Sequence, residues 1–117
     1  NNPIPDTRQT KTNFRLNADE LFGGENSNSG KNNSLYIEKA IEVRGVIKDL
    51  TKNDDSYTLY LQGEGDNGIL CEMQDDFHFN DNKVELGDTV IVKGVYKGHL
   101  LDAILLNCIL VSENLNE

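Results

Sequence analysis

The chain has 117 residues and a formal net charge of −9, from 11 Lys and Arg against 20 Asp and Glu, a length that fits one small domain. Residues 1–38 carry four positive and five negative side chains and residues 39–117 carry seven and fifteen, so the acidity belongs to the part that reads as folded. A domain of this sign gains nothing from counterion release, which disfavours tight, sequence-independent binding to nucleic acid, and no apolar run approaches the roughly 20 residues of a membrane span.

Asn1 to Leu16 is rich in Asn, Thr, Pro and Gln and shows no periodicity. Asn17 then offers a cap, with Glu20 three residues on as its capping-box partner. Residues 18–22 read as a short helix, stopped almost at once by Gly23-Gly24. Residues 24–34 (GENSNSGKNNS) form a polar linker with too little apolar surface to order itself. The sequon Asn32-Asn33-Ser34 arises easily in so Asn-rich a stretch.

From Leu35 onward the pattern is one of strands and turns. Ile41, Val43, Gly45 and Ile47 alternate with Glu42, Arg44, Val46 and Lys48, a half-buried strand that can bend at Gly45. A turn over 52–56 leads to a second strand over 57–62, and a turn over 63–68 to a third over 69–74. A polar stretch over 75–82 follows. The fourth strand, 89–97, puts Val90, Val92, Gly94 and Tyr96 on one face. Gly98-His99 turns into the fifth, where Ile104, Leu106, Cys108 and Leu110 line one side. Five strands, the first bent at glycine, predict an all-β protein: a five-stranded OB-fold-like barrel with a short N-terminal helix. An open sandwich or an SH3-like barrel is the alternative, and the long connection after the third strand favours the OB reading. The expected organisation is a helix, lead-in and linker over 1–34, a barrel over 35–111 and a tail over 112–117.

Residues 39–47 (KAIEVRGVI), 68–71 (GILC), 86–94 (LGDTVIVKG) and 101–111 (LDAILLNCILV) together resemble the bacterial "tRNA anti-like" OB-fold family, and 18–21 (ADEL) resembles its lead-in helix. The resemblance implies an exported protein, in the periplasm or at the outer membrane or cell surface, with any lipid anchor upstream of residue 1. Nucleic-acid binding follows only by fold analogy, since one fold hosts many functions.

Residues 63–68 match GxGxxG, but the following residues read as a strand and Glu64 and Asp66 would repel phosphate, so a hairpin loop is expected. Asp75, Asp76, His78 and Asp81 lack the spacing of a calcium loop, and His78 and His99 are too few for zinc. No metal, cofactor or catalytic constellation is predicted. An OB barrel binds ligands on the outer face of its second and third strands. The outward residues there are Thr58, Tyr60, Gln62, Leu70, Glu72 and Gln74, with Lys93, Lys97 and His99 adding positive charge nearby. Thr58, Tyr60, Gln62, Glu72, Gln74, Lys93, Lys97 and His99 are therefore the candidate ligand-binding residues. One aromatic is few for a single-strand platform. The expected function is a non-catalytic binding or adaptor module of an envelope lipoprotein, with a protein, peptide or glycan partner. A nucleic-acid-binding domain is the alternative. Cys71 and Cys108 are both read as inward on strands that neighbour each other in an OB barrel. A disulfide and a pair of buried thiols remain open, to be decided by strand register.

Overall fold

Ile41, Val43 and Ile47 are fully buried while Arg44 and Lys48 face solvent, so the alternation read in the sequence is that of strand β2 (Ala40–Asn53). The computed structural model describes residues 6–22, 35–78, 83–99 and 101–112. The expected linker and its sequon, Asp81, and residues 113–117 of the expected tail lie outside the described residues.

Strand β1 (Phe14–Asn17) precedes β2 and pairs with it in parallel, Phe14 opposite Ile41 and Asn17 opposite Arg44. After β2 come β3 (Ser56–Glu64), β4 (Asn67–Met73), β5 (Thr89–His99) and β6 (Ala103–Ser112). The sheet order is β1-β2-β3-β4-β6-β5, with β5 returning to pair with β2. Strands β2 to β6 thus close a five-stranded barrel with β1 as an extra strand, and closure removes the edges on which such a sheet would aggregate. The parallel β4–β6 pairing and the two ends of β2, one on β5 and the other on β3, complete the OB-fold.

Leu59, Leu61, Ile69, Val90, Val92, Tyr96 and Leu105 fill the barrel with no exposed area, and burial of a side chain of this kind contributes about 1.5–3 kcal/mol. A β-carbon on Gly45 would lie 3.1 Å from that of Ala18 and 3.3 Å from that of Leu61. The missing side chain lets the turn Ala18–Phe22 and β3 both approach the middle of β2. A bulge between Ile47 and Asp49 adds to the bend.

Four expectations are corrected. The short helix is a 3₁₀ turn (Ala18–Phe22), though Glu20 Oε1 does accept the Asn17 N–H at 2.6 Å, one half of the capping box. The aperiodic start of the chain contains β1, too short to show a period and held by pairing with β2. Turns are tighter than read, because β2 runs to Asn53 and only Gly65 and Asp66 separate β3 from β4. Finally, β6 does not turn Ile104 and Leu106 inward. Ala103 and Leu105 are buried instead, Cys108 is buried as expected, and Ile104 is 40% exposed. Asn107 adopts φ 57°, a left-handed conformation that Asn tolerates. It forms a bulge that lets Leu105 and Cys108, three positions apart, point to the same side.

Candidate binding face

On the outside of the barrel, β3 and β4 place Thr58 opposite Glu72, Tyr60 opposite Leu70 and Gln62 opposite Gly68. The parallel register of β4 on β6 then sets Leu70 beside Ile104. Leu70 is 36% exposed, so Tyr60, Leu70 and Ile104 make a continuous apolar row across three strands. The row is fixed at one end. The Tyr60 hydroxyl donates to Asp102 Oδ1 at 2.9 Å, and the same oxygen accepts the Gly68 N–H at 2.8 Å. Gly68 has no room for a side chain, since a β-carbon there would sit 2.5 Å from the Tyr60 ring. Burial, and then the hydrogen bond and charge of Asp102, raise the pKa of the Tyr60 phenol, which therefore remains a donor.

Two depressions flank the row. One, of about 520 Å³, is lined by Asp6, Glu72, Gln74, Asp75, Asp76 and Leu106. The other, of about 160 Å³, is lined by Lys48, Tyr60, Gln62 and Asp66 among others. At the larger depression Arg8 is bound to Asp6 at 3.1 Å and to Asp76 at 2.9 Å. The Arg8 backbone N–H holds the Asp6 carboxyl below its usual range. Gln74 anchors the N-terminal segment, its Oε1 accepting the Thr7 N–H at 2.8 Å and its amide donating to Asp6 at 3.4 Å. Carboxylates thus dominate the rim.

The eight candidate residues do not form one site. Thr58, Tyr60, Gln62 and Glu72 share this face, with Gln74 at its end, whereas Lys93, Lys97 and His99 lie on β5. Lys93 is 6% exposed and its amine donates to the Thr10 carbonyl beneath the N-terminal segment. Lys97 pairs with Glu38 at 2.7 Å. His99 shares a hydrogen bond with the Tyr96 hydroxyl at 2.6 Å and its ring stands edge-on to Phe22. Ile104 and Asp102 belong to the face and were missed. An Asn in mid-strand was the available signal for the bulge that turns Ile104 outward. The GxGxxG stretch is the β3–β4 hairpin, with Gly65 at φ 61°.

Cys71 and Cys108 are free and buried. The Cys108 thiol is raised well above its usual pKa by burial, then by its hydrogen bond to Cys71 and the Cys71 charge.

A closed barrel of this topology is an OB-fold domain. The chain belongs to the tRNA_anti-like family, whose model matches residues 1–110. No curated protein matches it by sequence. Among solved structures it is similar to a Klebsiella pneumoniae protein to which nucleic-acid binding and a lipoprotein nature have been ascribed. The identity is 18% over 70% of this chain and 77% of that one, with a TM-score of 0.57. It is also similar to a Leishmania major protein assigned as an aspartyl-tRNA synthetase, at 12% identity and TM-score 0.56, covering 94% of this chain and 22% of that one. The Entamoeba histolytica aspartyl-tRNA synthetase is similar at 13% identity and TM-score 0.52, covering 94% and 28% respectively. The chain therefore spans about a quarter of each synthetase, and at these identities the likeness is one of fold. Among the described residues no helix is long and apolar enough to cross a membrane.

Proposed function

We propose that this OB-fold domain is a non-catalytic binding module of an exported bacterial envelope protein, and that it meets a protein, peptide or glycan partner through the outer face of β3, β4 and β6. The observation that carries the reading is the row of half-buried Tyr60 with exposed Leu70 and Ile104, with Glu72 and the Asp6, Asp75 and Asp76 carboxylates on one side and Asp66, beside Lys48, on the other. Such a rim repels phosphate, and Lys93 and Lys97, which could have offset it, are bound to Thr10 and Glu38. Likeness to the Klebsiella protein supports the envelope setting.

A second reading, a nucleic-acid-binding domain, has one observation in its favour. Arg15 and Arg44 are exposed beside Ile91 in a depression of about 230 Å³ where β1 meets β2. Anisotropy of labelled single-stranded oligonucleotides at low salt separates the two. A phosphate footprint weakens steeply with salt, by a log–log slope of about 0.7 per phosphate neutralised. The first reading expects no such binding. Saturable, salt-steep binding that Arg44→Glu abolishes would replace it with the second.

A further inference from the structure

We propose that the partner at this face is a basic amphipathic polypeptide segment, apolar along the side that covers Tyr60, Leu70 and Ile104 and carrying Lys or Arg toward the carboxylate rim. The inference rests on the binding-face reading above and names the chemistry of its ligand.

Four features lead there. First, the apolar surface is contiguous. Neighbouring strands lie about 4.8 Å apart, so the row runs about 10 Å across the sheet. That length matches two successive turns of a helix or alternate residues of an extended chain. Exposed leucines elsewhere, such as Leu35 in a helical residue pair and Leu86 in a turn, stand singly and require no partner.

Second, the charge around the row is predominantly negative. Glu72, Asp75, Asp76 and Asp6 gather at one end and Asp66 at the other. Nearby, Arg8 is already held by Asp6 and Asp76, and at the smaller depression Lys48 stands against Asp66. Complementarity then calls for a cationic ligand. It also disfavours a second copy of the chain, because two molecules of charge −9 would bring acid against acid.

Third, β4 is hydrogen-bonded to β3 on one edge and β6 on the other, so a peptide cannot join here as an added strand. The contact must run through side chains standing on the sheet face, which is the geometry of an amphipathic segment laid across it. Fourth, the anchor is already ordered. Asp102 and Gly68 fix the Tyr60 ring, which lowers the entropy lost when the face is covered.

The test is a titration of the full chain, followed by anisotropy and by amide shifts, with a labelled Leu/Lys amphipathic peptide of about 18 residues. An all-Lys peptide of equal charge, a Leu/Glu peptide and single-stranded oligothymidine are run alongside. Expected are saturable binding of the Leu/Lys peptide, about tenfold or more tighter than all-Lys, and shifts centred on Leu70, Glu72 and Ile104. The double variant Leu70→Ser, Ile104→Ser should weaken binding about tenfold, and Glu72→Lys, which leaves the apolar row untouched, several-fold. Leu86→Ser should bind as the parent does. Equal binding of the Leu/Lys and all-Lys peptides, no saturation with the Leu/Lys peptide, or indifference to both the serine pair and Glu72→Lys would each overturn the proposal. Preferential binding of the Leu/Glu peptide at this face would sink the basic ligand and leave the binding face standing. Oligothymidine bound there would remove both.

Discussion

The sulfur of Cys108 occupies the space that a side chain on Gly94 would need: a β-carbon built on Gly94 falls 2.4 Å from Cys108 Sγ and 3.1 Å from the Leu106 carbonyl oxygen. Strands β5 and β6 therefore approach only because one carries no side chain where the other inserts a thiol. Gly94→Ala should destabilise the domain by about 1–3 kcal/mol through overpacking. Combined with Cys108→Ala, the cost should be less than the sum of the two single changes. Urea denaturation of the four proteins measures the coupling, and strict additivity would show that the contact does not limit strand approach.

The buried Cys108 thiol also makes stability depend on pH. Its folded pKa lies well above 9.0 because burial, then Cys71, disfavour the thiolate. Above pH 9 the unfolded chain gives up this proton while the folded one keeps it, so the folded state binds more protons and stability falls as pH rises. The Tyr96 phenol, pushed up to about 12 by burial and then by Tyr36, extends the fall over the next two units. The stability measured by urea denaturation should fall from about pH 8.5 up to about pH 12, by on the order of 1 kcal/mol per pH unit where one group dominates. Cys108→Ala should flatten the first part of that profile and Tyr96→Phe the second.

Thr7 ties the N-terminal segment to the barrel. Its hydroxyl donates to the Asn107 carbonyl at 2.6 Å and accepts from the Asn107 side-chain amide at 2.9 Å, and the residue is buried. Thr7→Val keeps the shape and removes both bonds to Asn107. A loss of about 1–3 kcal/mol is expected, against little change for the exposed Thr10→Val. Equal thermal melts for the two variants would contradict this role.

Asp102 should govern Tyr60 at a distance of 42 positions in the chain. Asp102→Ala removes the acceptor for the Tyr60 hydroxyl and the Gly68 N–H together. Ultraviolet titration of the four tyrosines should show one phenol moving down toward its ordinary value, because the carboxylate is part of what raises Tyr60. An unchanged titration curve would mean that the ring is positioned by packing alone.

Much of this architecture is legible in the sequence, because a barrel wall with one side buried imposes a period of two. Val90, Val92, Gly94 and Tyr96 all turn inward as their spacing predicts, and so do Leu59, Leu61, Ile69, Cys71 and Met73. The outward set Thr58, Tyr60, Gln62, Leu70 and Glu72 follows from the same alternation. Three things were decided only in the folded molecule. Strand β1 exists because β2 offers it hydrogen bonds; four residues have no period of their own. Ile104 joins the binding face because Asn107 takes a left-handed conformation that shifts the alternation; an Asn in mid-strand permits that conformation, but only the contacts of the folded chain select it. Lys93 leaves the surface because the N-terminal segment covers it, and Thr10 meets its amine from 83 positions away. Side-chain period is set by the local backbone, so it can be read along the chain. Which surface remains open is set by contacts between distant segments, and those form only when the barrel closes.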